Sequence, residues 1–207
     1  SKADESELAV IFNETDTLHI LGLDSLDLPV LSDMVGVYAY MVRKGGLDSA
    51  DKIRDAYITG IILEFINQSS SGDGIAETVE QYADVLGFIG QNSYDVTYLG
   101  LSDTEKAQVW AEVISEAANL ESEEELMYLL FKYSILTAFK AAEDNIAKFQ
   151  VLLDNSQFLN LDFSRYFSLS SENRDKVAEE FVLYVDSVTD IFYMNDRLQS
   201  IIDKYAV

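Results

Sequence analysis

Histidine and cysteine are common ligands of zinc and other transition metals, and this sequence has one histidine, His19, and no cysteine. Dimetal helical bundles need a Glu-x-x-His motif on two helices, and zinc hydrolases need His-Glu-x-x-His. Neither motif occurs here, and without cysteine there is no thiolate nucleophile and no disulfide. We therefore expect no metal site and no cofactor. We expect His19 to be an ordinary surface or half-buried histidine, with a pH switch as the alternative.

Motifs for nucleophilic and phosphate chemistry are also missing. The sequence contains no Gly-x-Ser-x-Gly and no phosphate-binding Gly-x-x-x-x-Gly-Lys. Gly72-Asp73-Gly74 is not followed by a basic residue, so we interpret it as part of a linker. Three aspartates, Asp24, Asp27 and Asp33, lie close together in sequence, but their spacing does not match an EF-hand loop. We predict no catalytic residues, and surface carboxylates rather than a calcium site.

Tyrosine is abundant, with 12 residues. Several tyrosines fall on the apolar faces of predicted helices, where their rings would fill space between helices or line a pocket. A second group of aromatic residues precedes or begins predicted helices, and we predict that it forms an interaction patch for a partner: Tyr94, Tyr98, Tyr166 and Phe167.

Apolar periodicity predicts one long central helix over about 122–154. Tyr128, Phe131, Ile135 and Phe139 begin an apolar edge that recurs every three or four residues, and a second apolar edge lies beside it. A helix that is apolar on most of its faces must be covered by other elements. We therefore expect these side chains to be buried.

A second long helix is predicted over about 170–205, with Ser170 as its N-cap and Asn195 as a polar residue within its apolar seam. Shorter helices are predicted around it, the first over the apolar run 8–12, and capping boxes mark helix starts at 102–105 and 122–125. Residues 13–31 are predicted to be turn-rich, and 156–168 to be a loop or a short helix packed down by its aromatic rings. One proline and 10 glycines favour helices over a strand-and-turn protein. The predicted fold is all-α, a compact bundle of six to seven helices with two long core helices.

The length of 207 residues suits a single all-helical domain over 1–207. Residues 1–7 are expected to form a flexible N-terminal tail, and a weak subdivision is possible near 92–97. The segment Ser69–Gly74 is linker-like but short, so the helices on either side are expected to be neighbours. An internal similarity at an offset of 68 residues, Tyr98–Ser102 against Tyr166–Ser170, is interpreted as two similar helix starts rather than a repeat.

The charge is strongly negative: 14 lysines and arginines against 37 aspartates and glutamates give a net charge of −23. A chain this acidic repels phosphate backbones and anionic membrane surfaces, so nucleic acid is not an expected partner. The acidity is interpreted first as a solubilising surface. The alternatives are recognition of a basic protein and mimicry of a nucleic acid that blocks a basic protein.

These observations together favour a non-enzymatic acidic helical module for protein interaction or ligand binding. The alternative is an enzyme that uses aspartate, glutamate or tyrosine in a pocket between helices. The apolar stretch 126–139 is too short for a membrane span. Because the chain starts at Ser1 without a methionine, we expect an exported or cell-surface bacterial protein, such as a processed lipoprotein, with the cytoplasm as the alternative. The ligand, the partner and the oligomeric state do not follow from the sequence.

Overall fold

The structure of the protein is a computed structural model that describes residues 4–72, 74–88, 93–117, 119–188 and 191–206. Within these residues the fold is all-α, as predicted, with twelve α-helices, one 3-10 turn and no strand. The helices are α1 (Glu5–Phe12), α2 (Thr15–Ile20), α3 (Val35–Lys44), α4 (Ala50–Gln68), α5 (Ile75–Gln81), α6 (Ala83–Leu86), α7 (Ser93–Leu99), α8 (Asp103–Glu116), α9 (Glu123–Ala141), α10 (Asn145–Asp154), α11 (Ser171–Asp186) and α12 (Asn195–Tyr205). The 3-10 turn is Tyr166–Ser168.

Twelve helices replace the predicted six to seven, in part because two long apolar patterns are divided. The predicted helix 122–154 is two helices, since α9 ends at Ala141 and Asp144 caps α10 by accepting a hydrogen bond from the Ala147 amide at 2.8 Å. The predicted helix 170–205 is also two, α11 and α12, and Tyr193 between them has a left-handed φ of 61°. In both cases the apolar period continues across the break.

Two compact units divide the chain. Unit 1 comprises residues 1–91 and 106–130, and unit 2 comprises residues 92–105 and 131–207. The prediction of a single domain over 1–207, with a weak subdivision near 92–97, stays a prediction. Residues 1–3 of the predicted tail lie outside the described residues, and Glu5 to Glu7 form the first turn of α1.

In unit 1, α3 packs against α4 at a position without a side chain. A Cβ atom on Gly60 would lie 3.1 Å from Val37 Cγ1 and 3.2 Å from the Val37 carbonyl oxygen, so glycine permits this close approach of the helices. Val37, Ile62 and Trp110 are completely buried in the core. The α1 helix packs on α3 of this pair, and α2 packs on α1.

In unit 2, the core is an apolar cluster to which α10, α11 and α12 contribute. Its members include Ile135, Phe149, Phe181, Leu198 and Ile202. The 156–168 segment was predicted to be packed down by aromatic rings, and this is confirmed for Phe163, which is buried edge-on against Phe149 at a centroid distance of 5.5 Å.

The burial predicted for the central helix is confirmed in its middle and wrong at two other positions. Phe131, Ile135 and Phe139 are at most 5% exposed. Tyr128 is 45% exposed, and Ile146, which follows the break before α10, is 81% exposed. Among the described residues, every helix is too short or too polar to cross a lipid bilayer.

Candidate functional site

A cavity of about 530 Å³ opens between the N-terminal helices and the α3–α4 turn of unit 1. Its lining carries no charged side chain, and Thr17 supplies its only side-chain hydroxyl. We call this cavity the apolar groove. It is lined by Leu8, Ile11, Phe12, Thr17, Ile20, Leu21, Met41, Val42, Gly45, Gly46, Leu47 and Ile53.

The first wall of the apolar groove is α1, whose start is fixed by a capping box. The Asp4 carboxylate accepts from the Ser6 and Glu7 amides, both at 2.9 Å, and Glu7 Oε2 accepts from the Asp4 amide at 3.1 Å. At the other end of α1, the Phe12 ring stacks on Tyr57 of α4 with a centroid distance of 4.5 Å. The stacking on Tyr57 therefore fixes the position of the Phe12 ring in the lining of the groove.

The second wall is α2, in a segment that the sequence predicted to be irregular. Gly22, with φ of 64°, lets the chain turn back after the helix. The Leu23 amide donates to the Leu18 carbonyl at 2.9 Å, and the Gly22 amide donates to the His19 carbonyl at 3.0 Å. This is a Schellman ending, and its characteristic apolar residue, Leu23, is only 4% exposed. The ending fixes α2 so that one side faces the groove.

The third wall is the turn between α3 and α4. Gly45 and Gly46 both have a left-handed φ, 59° and 64°, which residues with a side chain rarely adopt. The two glycines and Leu47 line the apolar groove and also a second, polar pocket of about 360 Å³. The turn therefore separates an apolar site from a polar one.

In the polar pocket, Tyr40 and Lys44 both bind the carboxylate of Glu123. The Tyr40 hydroxyl donates to Glu123 Oε2 at 2.8 Å, and the Lys44 ammonium donates to the other oxygen, Glu123 Oε1. Burial, and then the hydrogen bond to Glu123, raise the pKa of Tyr40, so its hydroxyl stays protonated.

The same network determines the charge of Glu123. Burial alone would raise the pKa of Glu123, but the hydrogen bonds from Lys44, from its own backbone amide and from Tyr40 outweigh it, and the pKa is lowered. The carboxylate is ionised near neutral pH and both of its oxygens already accept hydrogen bonds. A general acid or base works best with a pKa near the operating pH, so Glu123 is better suited to fixing structure than to proton transfer.

The predicted aromatic patch is placed only in part. Tyr98 is completely buried, so its ring is not on the surface, whereas Phe167 is 56% exposed and Tyr166 is half-buried. Burial raises the pKa of Tyr166, whose ring contacts Phe167 at a centroid distance of 5.4 Å. The Tyr94 side chain lies outside the described residues. The role of these residues as an interaction patch stays a prediction.

His19 and the aspartates near it do not assemble a metal site. His19 Nδ1 lies 2.9 Å from Asp24 Oδ2, and both side chains are exposed. Within the part of the chain that the structure describes, no group of three or more histidine, aspartate or glutamate side chains is arranged to hold a metal ion.

A hollow of about 560 Å³ in unit 2 is less suited to a ligand. Small residues of α9 and α10 line much of it, and its buried amide, Asn155, is already bonded: Oδ1 accepts from Thr97 at 3.0 Å and Nδ2 donates to the Val151 carbonyl at 2.8 Å. These bonds attach α7 to the end of α10.

The apolar groove does not follow from the sequence patterns. The apolar run 8–12 predicts a first helix, but the polar and glycine residues of 13–31 are typical of turns and do not predict α2. The signal that could have revealed the site was the set Leu18, Ile20, Leu21 and Leu23, which is too apolar for an exposed turn. Comparisons with protein families, with curated protein sequences and with solved structures find no match for this chain.

Proposed function

We propose that the protein is a non-enzymatic binding module that holds a small apolar ligand in the apolar groove of unit 1. The observation that carries the proposal is the composition of this cavity, in which the lining is aliphatic or aromatic apart from Thr17 and two glycines. Ligand pockets are typically concave, mostly apolar and about 300–1,000 Å³ in volume, and they have few polar groups.

Exposure of apolar side chains at the groove supports the same function. Ile11 is 44% exposed and Ile20 is 77% exposed, although both lie beside buried residues of the same groove. Covering such side chains with a ligand gains about 25 cal/mol per Å² of apolar surface removed from water. Thr17 offers one hydroxyl that could orient a polar atom of the ligand.

The polar pocket supports the enzyme alternative less well. Its carboxylate and hydroxyl, Glu123 and Tyr40, have pKa values that are shifted away from neutrality in opposite directions. Binding is therefore the function that the described side chains favour.

The exported or cell-surface location expected from the sequence stays a prediction, and cell fractionation would test it.

The test uses N-phenyl-1-naphthylamine, an uncharged probe whose fluorescence rises in apolar surroundings. For this probe of about 17 heavy atoms, about −0.3 kcal/mol per atom predicts a dissociation constant on the order of 0.2 mM. Val42→Trp adds a bulky ring to the groove lining and should weaken saturable binding at least about ten-fold, since the lost contacts are worth more than about 1.4 kcal/mol.

Val30→Trp is the matched control, because Val30 is 96% exposed and does not line the groove. It should bind the probe as the unmodified protein does. The proposal is wrong if the folded protein shows no saturable binding, or if Val42→Trp binds as tightly as Val30→Trp. Circular dichroism of each variant establishes that it is folded.

A further inference from the structure

The segment that forms two walls of the apolar groove contains acidic residues but no lysine or arginine. Between residues 4 and 33 there is no lysine or arginine, and the one histidine is paired with an aspartate. The acidic residues of this segment are Asp4, Glu5, Glu7, Glu14, Asp16, Asp24, Asp27 and Asp33.

Two of these acidic residues precede the exposed rim of the groove by one helical turn, and one oxygen of Glu7 also accepts the capping-box hydrogen bond from the Asp4 amide. Glu7 precedes Ile11 by four residues on α1, and Asp16 precedes Ile20 by four residues on α2. Residues four apart lie on the same side of a helix, one turn from each other. Ile11 and Ile20 are the large apolar side chains of the groove that are exposed, and Glu7 and Asp16 are exposed as well.

Three basic residues at the end of α3 and the start of α4 are already engaged. The Lys44 ammonium donates to Glu123, Lys52 donates to Asp48 at 2.7 Å, and Arg43 donates to the Glu121 carbonyl at 3.2 Å. An anionic ligand would therefore have to compete for these donors. A cationic ligand would meet carboxylates at the rim, in the field of a chain whose net charge is −23.

Resting on the proposed function, we infer that the ligand is a small cationic amphiphile. Its apolar body occupies the groove, and its positively charged head group, an ammonium or a comparable cation, lies at the Ile11–Ile20 rim beside Glu7 and Asp16. The volume of about 530 Å³ favours a small molecule over a protein helix, because it lies within the usual range of small-ligand pockets.

The experiment compares three probes with the same alkyl chain by calorimetry, below the concentrations at which they form micelles: decyltrimethylammonium, decanol and decanoate. At low ionic strength, two carboxylates near the head group should make the cation bind about five-fold more tightly than the alcohol. Decanoate should bind most weakly. In physiological salt the difference should shrink, because the carboxylates are exposed and their field is screened.

The variant Glu7→Gln/Asp16→Asn should lose the preference for the cation and keep the affinity for decanol. Glutamine can still accept the capping-box hydrogen bond, so α1 is retained. The matched control is Glu179→Gln/Asp196→Asn, which removes the same charge from exposed positions of unit 2 and should keep the preference.

Four outcomes are decisive. Equal binding of decanol and decyltrimethylammonium overturns the inference and leaves the proposed function standing. If the two double variants lose the preference for the cation to the same extent, the inference is also overturned, because the net charge of the whole protein would then be responsible. Binding of an amphipathic lysine–leucine peptide without binding of decyltrimethylammonium would replace the small molecule with a protein partner. If none of the three alkyl probes binds, the inference is overturned, and the proposed function is wrong as well if N-phenyl-1-naphthylamine shows no saturable binding.

Discussion

Two glycines of unit 1 show how the identity of a neighbouring atom decides the cost of adding a side chain. A Cβ atom on Gly72 would lie 2.8 Å from the Ala107 carbonyl oxygen and 3.1 Å from the Ala111 amide nitrogen, both in the backbone of α8. On Gly36 it would lie 1.8 Å from Glu64 Oε2, the end of a flexible side chain. The contact at Gly36 is therefore easier to relieve than the one at Gly72, although it is shorter, because the Glu64 side chain can move.

Gly72→Ala should lower the free energy of unfolding of unit 1 by about 1–2 kcal/mol, because a helix backbone cannot retreat without disturbing its own packing. Gly36→Ala is the comparison, and it should change the stability by less than about 0.5 kcal/mol. Its gain in helix propensity offsets the loss of the hydrogen bond from Gln68 to Glu64. Urea unfolding followed by the fluorescence of Trp110, the one tryptophan, measures both variants. A larger loss for Gly36→Ala would contradict this reasoning.

Glu123 should contribute stability that depends on pH in a defined direction. Its pKa is lowered in the folded protein, so the contribution is complete above the pKa of an unfolded glutamate, about 4.3, and is lost as the pH falls through the lower folded value. At pH 7, Glu123→Gln should cost on the order of 1–2 kcal/mol, because its hydrogen bonds to Lys44 and Tyr40 lose the charge.

The control for this prediction is Glu124→Gln, which removes the same charge from the same helix turn at an exposed position. It should change the stability much less at pH 7. The difference between the two variants should disappear in acid, where Glu123 of the unmodified protein is protonated too. A cost for Glu123→Gln that stays constant from pH 7 to strongly acidic conditions would refute this assignment.

At the scale of helices, the sequence predicted where helices start better than where they are interrupted. Ser102 and Glu105 form the expected capping box, with the Ser102 amide donating to Glu105 at 2.8 Å, and Ser170 caps α11 by accepting from the Asn173 amide at 3.3 Å. These signals are local, so the sequence contains them in full. The breaks before α10 and α12 lie within patterns whose apolar period continues. Each depends on a single residue, the Asp144 cap before α10 and Tyr193 with its left-handed φ before α12.

The apolar groove could not be predicted for a related reason. It depends on α2, a helix of six residues whose stability comes from its Schellman ending and its packing rather than from its propensity. It also depends on the orientation that Phe12 takes on Tyr57, which is a contact across 45 residues of sequence. Local patterns specify neither the volume of a cavity nor the side of a helix left uncovered.

The helix start at Asp144 can be tested directly. Asp144→Ala removes the acceptor of the Ala147 amide at the start of α10 and should destabilise the protein by about 1 kcal/mol. Glu143→Ala, at the adjacent exposed position, should stay within about 0.5 kcal/mol of the unmodified protein. Urea unfolding followed by far-ultraviolet circular dichroism makes the comparison. Equal effects at the two positions would mean that Asp144 does not act as a cap.

At the scale of the whole molecule, charge is the dominant feature, and most basic residues are used in local pairs. Lys148 donates to both oxygens of Asp186 at 2.8 Å, Lys106 donates to Glu80 at 2.8 Å, and Lys204 donates to Glu180 at 2.6 Å. With 14 basic and 37 acidic residues, such pairs leave many carboxylates without a basic neighbour. Two opposing effects of salt follow, since screening weakens the pairs and also weakens the repulsion among the remaining carboxylates.

Repulsion should prevail at neutral pH. Exposed ion pairs are worth about 0–1 kcal/mol each, whereas a net charge of −23 opposes compact folding throughout the chain. Raising sodium chloride from about 10 to 300 mM shortens the screening length from about 30 Å to about 6 Å, so the melting temperature at pH 7 should rise by several degrees. Near the isoelectric point of about 4.1 the net charge vanishes, and the same addition of salt should leave the melting temperature unchanged or lower it. Thermal unfolding followed by circular dichroism measures both cases. A melting temperature that falls with salt at pH 7 would show that the local pairs, rather than the net charge, control the electrostatic part of the stability.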